Sequence, residues 1–337
     1  MTGLIVRRLL QLPLILWAVF TATLALAWAV PGNPLENPEG RRPPPEVAAA
    51  MRAQYDLDNF WRFYWSYLER ASGVRWARES LDGTAASRAR AAQEAGLPPP
   101  ARPVFDLGPS LHYKDRTVNE ILWASLPISA TLGAGAILLA LLIGLLAGIV
   151  GAVRPGSALD AATLGVALVG ISLPSFVVGT ALLLVFGAWL RWAPVGRWSV
   201  GAAILPALTL SLPFAAYIAR LSRMAMIEAM GADFIRTARA KGLSEGRVVL
   251  RHALAHAMLP VVSFLGPATA LAMTGSFVVE RVFTVPGLGQ HFVNAVQNKD
   301  LFLIMGVVLV FSTMLVVFNL IVDVLYRWVD PRIEGPG

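Results

Sequence analysis

The sequence predicts an all-α polytopic membrane protein: six transmembrane helices, a large external loop region after the first, and a cytosolic helical loop between the fourth and fifth. Three observations carry this. The 337 residues are 56% hydrophobic and only 15% charged, where an ordinary soluble domain carries about 25% charged residues. Apolar runs recur at about 20 residues, the length that crosses a hydrocarbon core of about 30 Å. Arginine and lysine gather in a few short stretches between those runs, as the positive-inside rule requires.

The runs are Leu9–Val30, Leu126–Val153, Ala161–Leu190, Ala202–Ile218, Met258–Val279 and Leu301–Tyr326. With six spans, Arg7, Arg8, Arg154, the cluster from Arg220 to Arg251, Arg327 and Arg332 share one side. The other side's short loops hold Arg191, Arg197, Arg281 and Lys299. Both termini are therefore placed in the cytosol. The same charge bias accounts for the net charge of +7 without nucleic-acid binding. There is no cysteine, which excludes disulfides, thiolate nucleophiles and cysteine metal sites. Three regions follow: an N-terminal span over 1–30, an external region over 31–116, and a core over 117–337 that contains a cytosolic loop at 220–257.

In chain order, Pro31-Gly32-Asn33-Pro34 ends the first helix. Arg7 and Arg8 ahead of an apolar run that ends in alternating alanines also fit a cleaved signal peptide, but the run is longer than the usual apolar region of about 7–15 residues. Within 31–116, the stretch Glu46–Leu57 is helical in pattern. Phe60 to Leu68 is rich in aromatics, read as packing, with an interfacial helix or a docking face as alternatives. Residues 71–102 have little periodicity and read as an elaborated or mobile insertion. The second run carries Gly144 and Gly148, a spacing that lets helix backbones approach. In the third, Leu173-Pro174-Ser175 predicts a break or kink. The fourth contains Pro206 and Pro213, whose freed backbone groups call for a central, protein-packed position.

The stretch from Ile227 to Pro260 is basic yet helical in pattern, so it does not lie cheaply in lipid. Asp233 suits the cap of a short helix over Phe234–Lys241, Gly242 suits a left-handed turn, and Ser244 suits the cap of a second helix. Phe234, Ile235 and Ala238 are expected on one side, with Arg236 and Arg239 pointing away. Beyond the fifth run comes Val278-Val279-Glu280, then Arg281-Val282-Phe283-Thr284-Val285-Pro286-Gly287-Leu288-Gly289. Pro286 and the glycines predict a tight turn. Glu280 is expected at the membrane boundary, as an exposed carboxylate, as a partner of Arg281, or lining an external mouth. Asp323, near the end of the last run, is expected to pair with an arginine.

Arg236-Thr237-Ala238-Arg239-Ala240-Lys241-Gly242, followed by the run from Arg251 to Pro260, resembles the cytoplasmic signature of ATP-binding-cassette importer permeases, in the dipeptide/oligopeptide branch. The superfamily spacing is Glu-Ala-Ala, three residues, then Gly. Only Ala238 and Gly242 keep it here, and the peptide branch often reads R-T-A-R-A-K-G at this place. The stretch from Val278 to Gly289 matches every fixed position of that branch's V-V-E-x-V-F-x-x-P-G-L-G. Looser likenesses are Pro31–Pro34, Asp106-Leu107-Gly108 with Ser110, and the terminus from Asn319 to Arg332.

The resemblance implies a six-span permease subunit of a bacterial-type cytoplasmic (inner) membrane that keeps its first span and forms half of a translocation path for di- or oligopeptides. It implies a second homologous permease, two ATPase subunits that bind ATP and Mg, an external substrate-binding protein and surrounding lipid. Residues 236–242 then couple to the ATPases, and Glu280, Phe283, Pro286, Gly287 and Gly289 form an external gate or mouth. The same machinery importing nickel or glutathione is an alternative. An ion-coupled carrier or a membrane scaffold stands as a different class. The chain itself is read as a non-enzyme with no catalytic residue, cofactor or metal site. Its lysines, Lys114, Lys241 and Lys299, are followed by Asp, Gly and Asp, so no phosphate-cradling loop is present. His252 and His256 are four apart but have no third ligand near them in sequence.

Overall fold

A computed structural model describes residues 2–35, 44–96, 103–113, 116–194, 198–274 and 276–329. Helices account for nearly all regular structure. They are α1 (Thr2–Ala29), α2 (Pro45–Gln54), α3 (Phe60–Ala71), α4 (Val74–Leu81), α5 (Thr84–Glu94), α6 (Val118–Val153), α7 (Ala158–Ser172) and α8 (Ser175–Leu182). After α8 comes a π segment (Leu183–Trp189), then α9 (Val200–Gly231), α10 (Asp233–Ala240) and α11 (Glu245–Arg247). A second π segment (Val248–Ala253) leads into α12 (Leu254–Thr274), α13 (Phe277–Val282), α14 (Leu288–Gln297) and α15 (Leu301–Val329).

Among the described residues, five helical stretches are long and apolar enough to cross a membrane, and the number is six if one bent pair is a single broken span. That pair is α7 with α8 and its π segment, bent by 104° at Leu173-Pro174, where the break was expected. Proline locks its own φ and pushes the residue before it into extended backbone, and Leu173 has ψ 129°. The two prolines of α9 sit inside an unbroken helix that runs on to Gly231. The basic cluster therefore begins within α9, since Arg220 and Arg223 are helical residues. Among the long spans α9 is the most enclosed by protein, as its prolines require. Gly275, Arg197 and the segment Asp330-Pro331-Arg332 lie outside the described residues.

The chain divides into two compact units, 1–12 with 126–290 and 313–337, and 13–125 with 291–312. In the first, α9 packs against α6, α7 and α12. A Cβ on Gly144 would meet the Ala215 carbonyl at 2.7 Å, and one on Gly148 would meet that of Ala219 at 2.9 Å. The Gly144/Gly148 spacing thus serves packing within this subunit. The Asp160 carboxylate joins α7 to α9 by accepting from Arg223 Nε at 2.5 Å and Nη2 at 2.7 Å, and the Gly156 N–H at 2.8 Å. Asp323 takes its expected arginine partner from the chain's start, Arg8, at 2.7 Å.

In the second unit, Phe20 and Leu24 of α1, Phe63, Tyr64 and Tyr67 of α3, and Phe302 of α15 build a buried core. Much of the aromatic segment is therefore packing. Residues 71–102, expected to be irregular, include α4 and α5. Glu79 ties them together by accepting from Arg75 and Arg88, both at 2.9 Å, and Arg78 reaches back to Glu69 of α3 at 2.5 Å. Asp300 caps α15, accepting from the Leu303 N–H at 3.1 Å. Its other oxygen accepts from the Ser110 hydroxyl at 2.6 Å and the Leu111 N–H at 3.0 Å. Burial pushes the Asp300 carboxyl up, and these donors oppose the shift.

Candidate functional site: a basic knob and a carboxylate-held turn

The knob is built from α10. It spans Asp233–Ala240, so Asp233 is its first residue and Ala232 occupies the cap position without a side-chain acceptor. Asp233 favours the helix as a first-turn anion instead of as a cap. At the other end the Gly242 N–H donates to Arg239 O at 2.9 Å and the Leu243 N–H to Ala238 O at 3.3 Å. Those two bonds form a Schellman stop, and Gly242 supplies the left-handed residue at φ +75°. Ser244 stands at the cap position of α11, but its side chain makes no capping bond.

Ile235 and Ala238 are buried. They pack with Met226 and Ala229 of α9, Val248, Val249 and Ala253 of the π segment, and Ala257 of α12. Phe234 was expected on this side but is 38% exposed, with its ring 4.5 Å from that of His256. Consecutive helix residues are about 100° apart, so the Ile235/Ala238 pair, three apart, defines the buried stripe and excludes its neighbour. Arg236, Thr237, Arg239, Ala240, Lys241 and Gly242 are all exposed. Glu245 accepts from Arg239 Nε at 2.8 Å and Nη2 at 3.2 Å, which raises the Arg239 guanidinium above its ordinary range. The π segment after α11 was not legible in sequence, because one added residue per turn leaves no compositional mark. It turns Val248 and Val249 together under α10, and such insertions recur at functional sites.

The second cluster centres on Glu280, which is 0% exposed. The expectation of an exposed boundary carboxylate is overturned. One oxygen accepts from the Ser129 hydroxyl at 2.8 Å and the Ser276 hydroxyl at 2.6 Å, and the other from the Gln290 N–H at 3.1 Å. Ser129 Oγ in turn accepts from the Leu288 N–H at 2.8 Å. Glu280 thus fastens α6, the start of α13 and the Pro286–Gly289 turn into one piece. The glycines are needed because the carboxylate is so near: a Cβ on Gly287 would lie 2.5 Å from Glu280 Oε2, and one on Gly289 would lie 2.9 Å from it. Pro286 is exposed, and the turn at Pro286 is closed by the Gly287 N–H donating to Val285 O at 2.8 Å. Phe283 is half-buried against α8, beside Gly179. Sequence reasoning missed Ser129 and Ser276, since a lone serine in an apolar run carries no signal of its partner.

Residues 140–335 match the family described as "Binding-protein-dependent transport system inner membrane component". The chain is 40% identical over 338 residues to the oligopeptide transport system permease protein OppB of Salmonella typhimurium, covering 99% of this chain and all of that one. It is 39% identical to the dipeptide transport system permease protein DppB of Bacillus subtilis, over 68% of this chain and 75% of that one. Among solved structures, an inward-facing form of the MetNI methionine ABC transporter aligns with TM-score 0.52 and 19% identity, over 62% of this chain and 96% of that chain; that likeness concerns fold alone. With the signature helix, the buried-glutamate turn and these matches together, the chain belongs to the family of binding-protein-dependent transport system inner membrane components: it is the multi-pass membrane permease of an ABC transporter, not its ATPase.

Proposed function

We propose that this permease forms half of the translocation path of a peptide importer, taking di- or oligopeptides from an external binding protein and pairing with a second, homologous permease. ATP and Mg act on two separate ATPase subunits. Full-length kinship to a protein named as an oligopeptide permease supports the substrate class. The knob is the observation that carries the mechanism. Its underside, Ile235 and Ala238, is embedded among residues of α9 and α12, and its outer face offers Arg236, Thr237, Arg239, Lys241 and Phe234. A push on α10 therefore moves the ends of two spans at once. Packed interfaces shift as units, so that motion tilts α9 and α12 and alternates access to a central path. In this assignment residues 236–242 face the cytosol, as do both termini, and residues 31–116 lie outside. Glu280, Phe283, Pro286, Gly287 and Gly289 belong to the outer mouth, with Glu280 holding the turn's shape from beneath instead of touching peptide.

Two experiments test this. A cysteine introduced by Thr237→Cys, in a chain with none of its own, is expected to cross-link to an ATPase subunit in inverted membrane vesicles. Labelling of that cysteine from outside intact cells overturns the sidedness. Reconstituted with its partners, the transporter is expected to hydrolyse ATP faster when peptide-loaded binding protein is added. Stimulation only by a nickel or glutathione complex moves the substrate class without touching the coupling assignment.

A further inference from the structure

Helix α3 presents two faces, of which packing explains one. Phe63, Tyr64 and Tyr67 are buried. Trp61 and Trp65, one turn apart, are 64% and 61% exposed, and exposed Arg62 stands beside them. Indole pairs a large apolar body with one N–H donor, a chemistry suited to a boundary between hydrocarbon and water.

That face is continuous with a membrane-spanning surface. Trp17 of α1 donates from Nε1 to the Tyr64 hydroxyl at 2.8 Å. The Tyr64 ring lies 5.8 Å from that of Trp61 and 5.0 Å from that of Trp65. Leu14 and Leu26 of α1 are exposed as well. From Leu9 to Val30 the chain carries no charge, and as helix that run rises about 30 Å, enough to cross the hydrocarbon core. Trp28, near the end of the run, meets the ring of Phe60 edge-on at 5.6 Å, where α3 begins. Phe63 and Tyr67 of α3 meet Phe302, the second residue of the last span, at 5.2 and 5.8 Å. Helix α3 therefore lies at the outer end of α1 and of that span.

We propose that α3 is an interfacial helix, with Trp61 and Trp65 seated in the headgroup–acyl boundary of the phospholipid beside α1. Arg62 extends its aliphatic stem along this layer and its guanidinium to lipid phosphate. The external region is then braced on the bilayer surface as well as on its own core. Lipid is favoured over a protein partner because the exposed tryptophans extend the lipid-facing side of a span and stand at the depth where indoles accumulate.

The absence of cysteine makes the test direct. Trp61→Cys, Trp65→Cys, Leu14→Cys and Leu81→Cys variants are spin-labelled one at a time, in the transporter assembled with cysteine-free partners in phospholipid nanodiscs. Collision rates with oxygen and with a water-soluble nickel chelate are then compared. Labels at 61 and 65 are expected to favour oxygen several-fold over the label at 81, and less strongly than the label at 14. A ratio equal to that at 81 places the face in water and overturns the proposal. Suppression of both collisions means that protein covers the face and overturns it equally.

Discussion

Two glycine-bearing turns in this permease use the same residue for opposite reasons. At Gly242 the backbone is left-handed, with φ +75°, and a Cβ there would meet nothing within 4 Å. At Gly287 no left-handed backbone is involved, and a Cβ would lie 2.5 Å from Glu280 Oε2. The first glycine is required by torsion and the second by crowding. The knob therefore ends in an exposed, torsionally fixed stop, whereas the turn is closed around a buried carboxylate.

The strongest way to break the contrast is to empty the centre of the turn. Glu280→Ala leaves two hydroxyls and the Gln290 N–H without their acceptor. At about 1–3 kcal/mol for each unmet buried group, a large fall in the thermal midpoint of the purified transporter is expected. Glu280→Gln keeps one acceptor oxygen and loses less. An unchanged midpoint for Glu280→Ala removes the fastening role. Next in size is Gly287→Ala, where crowding costs about 1–3 kcal/mol. Combining it with Glu280→Asp, whose shorter side chain draws the oxygen back, is expected to recover about 0.5 kcal/mol or more relative to the sum of the single changes. Additive losses count against crowding as the cause.

Gly242→Val carries a smaller local cost, about 1–2 kcal/mol for a left-handed residue with a Cβ, but is expected to act on function. ATP hydrolysis persists while peptide uptake falls. Gly242→Asn, which tolerates that conformation, is expected to transport nearly as the parent does. Equal transport by the Val and Asn variants would show that torsion is not what matters there. The smallest effect belongs to Arg239→Gln: its ion pair with Glu245 is exposed and screened. The melting temperature is expected to stay unchanged, and any loss is read in ATPase binding at low salt.

The apolar runs and their breaks were legible because membrane thickness and proline stereochemistry act locally. Leu173-Pro174 marked the 104° bend. Gly242 marked the stop of α10, since a left-handed residue after a helix is a local demand. Other expectations failed by a single residue's rotation or one residue's displacement. Asp233 sits inside α10 instead of capping it, and Phe234 lies off the buried stripe that Ile235 and Ala238 set. Glu280 looked exposed because its place in sequence is the end of a span, where water is near.

What sequence alone determined is the set of features that neighbours in the chain can impose: span length, helix stops, charge bias and the motif that marks the family. What only tertiary structure decided is which side chains are enclosed. Ser129 stands 151 positions before Glu280, and Arg223 stands 63 after Asp160. Burial of a charge depends on donors that packing brings from far along the chain, and no local pattern records where they will come from.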